Sequence, residues 1–495
     1  MLEYFICFFA FIAALAAAFY MYITWHHGLF KKFGIPGPEP TFMGQLTKYG
    51  GVAVGEMDRE LMKKYGKVVG YYHGRTPVLN VGDPDLVKEI CIKHFNNFSS
   101  RPFNVPKDLY EEAFLTVVNG ERWRNSRSVL SPSFTSGKMR AMVPLMKNCV
   151  ENFLKHLEKH AESGKAVDVK TMFSGFTLDV ICTTAFGIDI DSQGNPDNPL
   201  ILAAKDASQF NLRNPFNLIC ILLPFTIPIM DFFGVGFMKR EPKKFMIDTI
   251  EKVIAERQNN PSDRADFVSL AMKAKEDSEK RQEGRVFNQH DLIGNLLVFM
   301  LAAYDTTSTT LSFVSYCLAT HPDIQDKVLH EINQKLGKDE EPDHENITKL
   351  KYLQQVIDET LRLFPALIRT VRYCAEDIDI NGTFIAKGTE ISFPVFAIQR
   401  DPDFWENPDV FDPERFSPEN KESINPYSHM PFGMGPRNCI GQRLALLELK
   451  LVLVCILRSY KICCTPETET PNVKMAKGEL FLRTEKPIHV RFEKR

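Results

Sequence analysis

The sequence lacks the defining features of four protein classes. Its eleven cysteines are odd in number and scattered, with no Cys-x-x-Cys pair, so neither a disulfide framework nor a zinc ribbon is expected. A net charge of -2 gives no general attraction for nucleic acid, and no such partner is expected. There is also no internal repeat and no low-complexity block, which excludes a repeat architecture. What remains is an ordinary globular composition with 44% hydrophobic residues.

Charged side chains are absent from Tyr4 to Trp25, "YFICFFAFIAALAAAFYMYITW". As a helix this stretch would be about 33 Å long, enough to cross the hydrocarbon core of a bilayer. Glu3 precedes it and two lysines follow it, so the positive-inside rule places the rest of the chain in the cytosol. A cleaved signal peptide is the alternative, but its n-region would lack Lys and Arg. We therefore expect an uncleaved anchor over residues 1–30.

A proline-rich hinge is expected at residues 31–40, where "GIPGPEP" prevents the anchor helix from continuing. No comparable linker follows, so residues 41–495 are predicted to form one large domain. Its patterns are mainly helical, with a small β region signalled by hairpins at Lys67–Val81 and around Asn381-Gly382. A long helix from about Asn288 to Thr320, apolar on several faces, should cross the domain centre. Further helices are expected at Asp168–Phe186, Lys243–Gln258, Pro322–Leu336 and Lys349–Leu363.

A second apolar segment, Phe216 to Phe237, is interrupted by Pro224 and Pro228. Those prolines argue against a second membrane-spanning helix. Two interpretations stay open. The segment is either a buried loop or an apolar flap that dips into the bilayer and lines a route for substrate.

The stretch "PFGMGPRNCIGQRLALLELK" concentrates glycine and proline before one thiol, Cys439. Its glycines permit backbone conformations and close approaches that are closed to other residues. A helix is expected from Ile440 onward, so that its N-terminus and Arg437 would lower the pKa of the thiol. A thiolate held by backbone donors is suited to ligating iron from one side. A buried structural cysteine is the alternative.

Phe432-x-x-Gly435-x-Arg437-x-Cys439-x-Gly441 resembles, at every fixed position, the haem-binding signature of the cytochrome P-450 family. The resemblance covers essentially the whole chain and is greatest to the microsomal, 3A-like branch. It implies the fold of that family, with residues 41–495 as a haem-thiolate catalytic domain. It also implies haem b as the cofactor, with Cys439 as the axial ligand of the iron.

Other family motifs follow in the expected order. Glu359 and Arg362, one helical turn apart, with Arg415 in "FDPERF", would form a buried charge triad that supports the core around the haem. The resemblance further assigns haem-propionate contacts to Trp123, Arg127, Arg372 and Arg437. Arginine suits that task because its charge is permanent and its donors are forked.

"AAYDTTS" lies at the position of the family's oxygen-activation motif. The resemblance implies that Thr306, with Asp305 as the acid, delivers protons to dioxygen through water. The alternative for Thr306 is a hydroxyl that bonds back to the carbonyl of Ala302. The family commonly has glycine where this chain has Ala303, so the local groove and its water are expected to differ.

The resemblance implies a monooxygenase that oxidises lipophilic small molecules such as xenobiotics, steroids or fatty acids. Electrons would come from NADPH through a flavoprotein reductase, with cytochrome b5 as an optional helper and Arg122 and Arg124 near the docking face. The location would be the endoplasmic reticulum membrane, with one span and a cytosolic catalytic domain in contact with lipid. By family position, the pocket wall would include Phe103, Phe299, Ala302, Leu367 and Ile368.

Two other functions would also use Cys439. A haem-thiolate isomerase of lipid peroxides would not need the Asp305-Thr306 pair. A non-catalytic haem sensor or carrier would need neither a reductase surface nor a substrate route.

Overall fold

The computed structural model describes residues 2–45, 51–102, 107–207, 215–233, 238–260, 266–281, 287–337 and 340–495, and most of them are helical. In chain order, the helices α1 to α19 of these ranges are Leu2–Thr24, Leu29–Lys32, Val54–Tyr65, Pro84–Lys88, Gly120–Leu130, Ser136–Ser163, Val169–Ile181, Pro199–Ala207, Pro215–Leu222, Ile227–Phe232, Arg240–Asn259, Phe267–Arg281, Gln289–Thr320, Pro322–Lys335, His344–Thr348, Lys351–Leu363, Val395–Ile398, Pro418–Lys421 and Gln442–Ser459. The strands β1 to β9 are Val68–His73, Thr76–Val81, Val167–Asp168, Thr370–Tyr373, Ile378–Ile380, Thr383–Ile385, Glu390–Phe393, Tyr460–Cys464 and His489–Lys494. The expectation of a mainly helical chain with a small β region is confirmed.

The strands form three small sheets. The largest has the order β1-β2-β7-β4, a second has β3-β9-β8, and β5 pairs with β6. The β5–β6 hairpin turns through Asn381 and Gly382, whose φ angles are 52° and 83°. Two positive φ angles at the centre of a two-residue turn explain why an Asn-Gly pair occupies it. Both hairpins expected from the sequence are present.

The long helix α13 runs through the middle of the domain. It starts with a capping box, in which Asn288 accepts the amide of Asp291 at 2.9 Å and Asp291 accepts the amide of Asn288 at 3.1 Å. Most of its side chains are buried on all sides by α7, α11, α16 and α19. Its hydropathy would fit a membrane span, but 72% of its most apolar window is buried inside the domain. A helix that is apolar all round is therefore the core of this fold.

The N-terminal helix α1 is long and apolar enough to cross a membrane, and only 6% of its most apolar window is buried. The chain after it contacts the β1–β2 hairpin. The amide of Gly70 donates to the carbonyl of Pro36 at 2.8 Å, and the Phe30 ring lies where a side chain at residue 70 would stand. The hinge segment is thus packed on the hairpin along this part of its length.

The proline-interrupted segment contains α9, a 3-10 turn at Pro224–Thr226 and α10. Residues 234–237 of this segment lie outside the described part of the chain. Phe225, Ile229, Phe232 and Phe233 expose between 54% and 84% of their surface. The Phe225 ring meets Tyr22 of α1 edge to face, with centroids 5.6 Å apart. The fully buried loop is therefore excluded for these residues, and the segment lies beside the end of the apolar helix.

Candidate functional site

The loop before Cys439 is shaped by two glycines with positive φ, Gly433 at 74° and Gly435 at 75°. The amide of Gly433 donates to Met430, and the amide of Cys439 donates to the carbonyl of Phe432 at 2.8 Å. A Cβ on Gly435 would lie 2.2 Å from the carbonyl oxygen of Cys91. The signature positions Phe432 and Gly435 therefore fix the backbone that presents the thiol.

Helix α19 begins at Gln442 with Gly441 as its N-cap, two residues later than expected. The sulfur of Cys439 still reaches the helix start, where it accepts the amides of Gly441 and Gln442. The expectation of a lowered thiol pKa is wrong. Burial raises the pKa of Cys439, and the two amides, Arg127 and Arg101 offset it only in part. Burial disfavours the charged form of a thiol, so depth alone acts against the thiolate.

Cys439 points into a cavity of about 1170 Å³ of space free of protein atoms, part of it open to solvent. Its side chain is accessible because it faces this internal space. One wall is the α13 segment with Phe299, Ala302, Ala303 and Thr306, and the opposite wall is the thiol loop. Gly441 also lines the cavity, and a Cβ there would meet no atom within 4 Å. The site is a slot between a helix and a cysteine loop.

Three arginines line the slot and a fourth lies behind its wall. Arg127 donates to the carbonyl and the side chain of Asn438 at 3.0 and 3.1 Å. Arg437 donates to the carbonyls of Ser99 and Val118 and stands 4.9 Å from the centre of the Trp123 ring. Arg127, Arg437 and Trp123 line the cavity, as expected.

Arg372 and Arg101 complete the group. Arg372, which was also expected, is buried behind the cavity wall and donates to the carbonyls of Val371 and Met434. Arg101 was missed. It lines the cavity and donates to the carbonyl of Arg437 at 3.0 Å. No family motif of the sequence analysis includes it, and only its position before a proline distinguishes it in the sequence.

The charge of this group fits haem. Among the described residues, none of the four arginines forms an ion pair with a carboxylate, and Nε of Arg101 and of Arg372 has no hydrogen-bond partner. Burial lowers the pKa of Arg437 to about 9, with Arg372 and Arg127 acting in the same direction. Buried, mutually repelling cations require an anion. The two propionates of haem would supply it, while Cys439 would reach the iron.

The predicted charge triad is present outside the cavity lining, with Glu359 and Arg362 on α16 and Arg415 in the 3-10 turn Pro413–Phe416. Arg362 donates Nε and Nη2 to the two oxygens of Glu359 at 2.6 and 2.8 Å, and neither residue has exposed surface. Its other donors reach three backbone carbonyls, those of Gln399, Pro408 and Val410. Arg415 is the weaker third member, 3.4 Å from Glu359. Burial raises the pKa of Glu359, and Arg362 opposes that effect.

The residues of the oxygen-activation motif face different directions. Thr306 lines the cavity, and its hydroxyl donates to the carbonyl of Ala302 at 2.7 Å. Both interpretations of Thr306 are therefore compatible, because its oxygen can still accept from the cavity side. Asp305 is buried, does not line the cavity, and contacts Lys170 at 2.8 Å and Arg483 at 3.4 Å. The structure does not bring the two side chains together in the slot.

The predicted pocket wall is divided. Phe299 and Ala302 line the cavity. Ile368 instead lines a separate small pocket with Leu482. The backbone of Leu367 forms an isolated β-bridge with that of Phe481. Phe103 lies outside the described residues. Phe134 and Phe267 are among the wall residues that were missed. Their rings pack with Phe299 as a three-ring cluster, with centroids 5.0 to 5.7 Å apart.

Comparisons with known proteins agree with this geometry. A family model described as "Cytochrome P450" matches residues 35–492. The chain is 38% identical over 480 residues to cytochrome P450 3A6 of Oryctolagus cuniculus, which covers 96% of this chain and 95% of that one. It is 39% identical over 480 residues to cytochrome P450 3A7 of Homo sapiens, covering 96% and 94%. It is also 37% identical over 473 residues to cytochrome P450 3A25 of Mus musculus, covering 95% and 93%.

Proposed function

Because the chain belongs to the cytochrome P450 family, and is accordingly a haem-thiolate monooxygenase of lipophilic compounds, we propose that its substrates are xenobiotics, steroids or fatty acids. We further propose that NADPH supplies the electrons through a membrane-bound flavoprotein reductase. The observation that carries the proposal is the slot between α13 and the thiol loop. It combines an accessible buried sulfur with an arginine-lined edge and an apolar wall.

Each part of the slot has a role in this reaction. Bound haem b supplies the thiolate-ligated iron at which dioxygen is activated. Cys439 would ligate the iron through its sulfur, which the amides of Gly441 and Gln442 approach from the helix start. Arg101, Arg127 and Arg437 orient the cofactor by its propionates, for which forked, permanently charged donors are suited.

The three-ring cluster of Phe134, Phe267 and Phe299 makes part of the slot apolar. Such a wall excludes water and favours apolar ligands, since each fully buried apolar side chain contributes about 1.5–3 kcal/mol. It offers no charged partner to a ligand, so binding there selects by shape and hydrophobicity. This fits the broad class of lipophilic substrates proposed above.

Proton delivery is assigned to Thr306. Its own proton is donated to the carbonyl of Ala302, so its oxygen would accept a hydrogen bond from a water in the cavity and orient that water. The water would then supply the proton and be reprotonated through further water. Asp305, on the other side of the helix, acts as the acid only through further water or a change of rotamer, because its carboxylate is bound to Lys170. Such a relay needs a polar group within hydrogen-bond reach of the reacting atom.

Replacement of Thr306 by alanine should increase the hydrogen peroxide formed per NADPH oxidised, because protons no longer reach dioxygen in order. General acid catalysis is worth about 10²–10⁴-fold, so product should fall strongly while NADPH consumption continues. Thr310→Ala is the matched control, since Thr310 lies one turn further along α13 and is not part of the cavity lining. Equal peroxide fractions in wild type and Thr306→Ala would contradict the relay.

The experiment that tests the function is reconstitution of the full chain in membranes with a flavoprotein reductase. Substrate-dependent NADPH oxidation with oxygenated product from a lipophilic panel is expected. An isomerase would convert lipid hydroperoxides without reductase. A sensor would bind haem but convert neither the lipophilic compounds nor the lipid hydroperoxides. The absence of reductase-driven turnover with every compound would refute the proposal.

The location is proposed to be the endoplasmic reticulum membrane, with α1 as the single span and the catalytic domain on the cytosolic face. The exposed rings of Phe225, Phe232 and Phe233 support a second contact with lipid beside α1. The reductase is expected on the Cys439 side, where Arg124 is exposed but Arg122 is bound to Asp291. Cytochrome b5 is proposed as an optional helper in electron supply.

Lipid contact of the segment Ile219–Phe233 predicts protection from protease. Cleavage there should be rapid in detergent and slow in liposomes, because the exposed rings would be withdrawn from water. Cleavage near Val410, which is 56% exposed in another part of the chain, serves as the control and should be equal in both. Unchanged cleavage of the segment would exclude the membrane contact.

A further inference from the structure

The ammonium group of Lys170, in the first turn of α7, is bound to one turn of α13. Its Nζ lies 2.9 Å from the carbonyl oxygen of Asp305, 2.8 Å from Oδ1 of Asp305, 2.6 Å from Oγ of Ser308 and 2.9 Å from Oγ1 of Thr309. An ammonium group has three protons, so these acceptors fill its bonding capacity. Although 31% of the side-chain surface is exposed, the charged end of Lys170 is enclosed by α13.

The Asp305 carboxylate is also approached from a third element. Nη2 of Arg483 lies 3.4 Å from Oδ2 of Asp305, a longer contact than the one from Lys170. The residue before it, Leu482, donates its amide to the carbonyl of Ala366, and Ile368 donates to the carbonyl of Leu480. Asp305 thereby connects α7, α13 and the C-terminal segment that covers Ile368. Lys170 makes the shorter of its two ionic contacts.

Thr306 follows Asp305 directly and projects from the same turn into the cavity. Successive residues of a helix face different directions. A cation that holds the side chain of residue 305 away from the cavity therefore also sets the orientation of residue 306. We propose that Lys170 is a positioning residue for proton delivery, which acts through its ion pair with the Asp305 carboxylate and so fixes the turn that carries Thr306. This inference rests on the proposed monooxygenase function.

The physical alternative is a brace without any role in proton delivery. Lys170 would then act through Ser308 and Thr309, whose hydroxyls it also contacts. The two possibilities differ in what removal of the Asp305 charge does. If Lys170 works through Asp305, its loss has no further effect once residue 305 is neutral. If Lys170 is only a brace, the effects of substituting Lys170 and of substituting Asp305 are independent.

A double-mutant cycle decides between them. Lys170→Met, Asp305→Asn and the double variant are compared in the reconstituted holoenzyme by the peroxide formed per NADPH oxidised. Residues in direct contact couple strongly. We therefore expect Lys170→Met to raise the peroxide fraction about threefold or more, and the double variant to equal the larger single effect. Lys170→Arg, which keeps the charge, should restore most of the coupling to product.

Two further measurements separate positioning from general damage. Hydrogen exchange of the amides from Asp305 to Thr309 should be faster in Lys170→Met, while α19 is unchanged. Lys165→Met is the matched control, since Lys165 is exposed just before β3, and it should leave both readouts as in wild type. If Lys170→Met does not retain haem, Lys170→Gln replaces it in the cycle.

Three outcomes would overturn the inference. They are independent, multiplying effects of the two single substitutions, an unchanged peroxide fraction in Lys170→Met, and no rescue by Lys170→Arg. The wild type is measured first. If it oxidises no NADPH with any lipophilic compound, the proposed function has failed and the role of Lys170 fails with it. Normal wild-type turnover with multiplying effects refutes only the role of Lys170.

Discussion

Arg362→Ala is expected to destabilise the protein by about 3–5 kcal/mol, the usual cost of removing one partner from a buried ion pair. The loss leaves the Glu359 carboxylate without its two short bonds. It also leaves three carbonyls without the guanidinium that joins them. The total stability of a native protein is about 5–15 kcal/mol. A large fraction of the Arg362→Ala molecules should therefore fail to retain haem.

The measurement is the denaturant or thermal midpoint together with the haem bound per protein. Arg362→Lys should recover little, because a lysine has three donors and no fork, whereas Arg362 uses all five of its donors. Arg415→Ala is the control from the same triad. Its 3.4 Å contact with Glu359 is longer than the two bonds from Arg362, so a much smaller loss is expected. Equal midpoints for Arg362→Ala and Arg415→Ala would show that the buried pair does not hold this region.

Gly435→Ala is expected to be similarly damaging, for a reason of backbone geometry. The new Cβ would lie 2.2 Å from the carbonyl oxygen of Cys91, and backbone cannot turn aside as a side chain does. Strain at a positive φ costs about 1–3 kcal/mol, and forced displacement of packed neighbours costs about 1–3 kcal/mol more. Lower haem retention and a lower melting midpoint should follow.

Gly433→Ala separates these two contributions. Gly433 has nearly the same φ, 74° against 75°, but the nearest atom to its new Cβ is 3.9 Å away. Gly433→Ala should therefore lose only the stability that is due to strain at the positive φ. Its melting midpoint should lie between those of wild type and Gly435→Ala. If both alanine variants melt together, close approach to Cys91 is not the reason for a glycine at residue 435.

Much of this organisation was predictable because it depends on local patterns. Helix α13 follows from a long, mostly apolar stretch that contains no proline or late glycine, and the β5–β6 hairpin follows from one Asn-Gly pair. Glu359 and Arg362 are one turn apart on a helix, so their contact needs no knowledge of the tertiary fold. Cys439 is specified by the glycines around it.

The remaining features depend on contacts between distant parts of the chain. Arg101 joins the arginine group only because the chain folds back beside Arg437. Phe134 and Phe267 reach Phe299 from two other elements. No spacing in the sequence indicates either approach.

The prediction of electrostatic effects from the sequence was limited for the same reason. A helix N-terminus and an arginine suggested a lowered pKa for Cys439, but depth of burial outweighs them. Asp305 was expected to act next to Thr306 because the two are adjacent in the motif. Adjacent residues on a helix diverge, and the partner of Asp305 is Lys170, 135 residues earlier in the chain.

The absorption spectrum of the dithionite-reduced, carbon-monoxide-treated protein tests the assignment of Cys439 most directly. Wild type should show the shifted Soret band that is typical of a thiolate opposite carbon monoxide. Cys439→Ser should lose that band even where haem is retained, since an alcohol is a far weaker donor than a thiolate. A Cys439→Ser protein with the wild-type spectrum would show that another group ligates the iron.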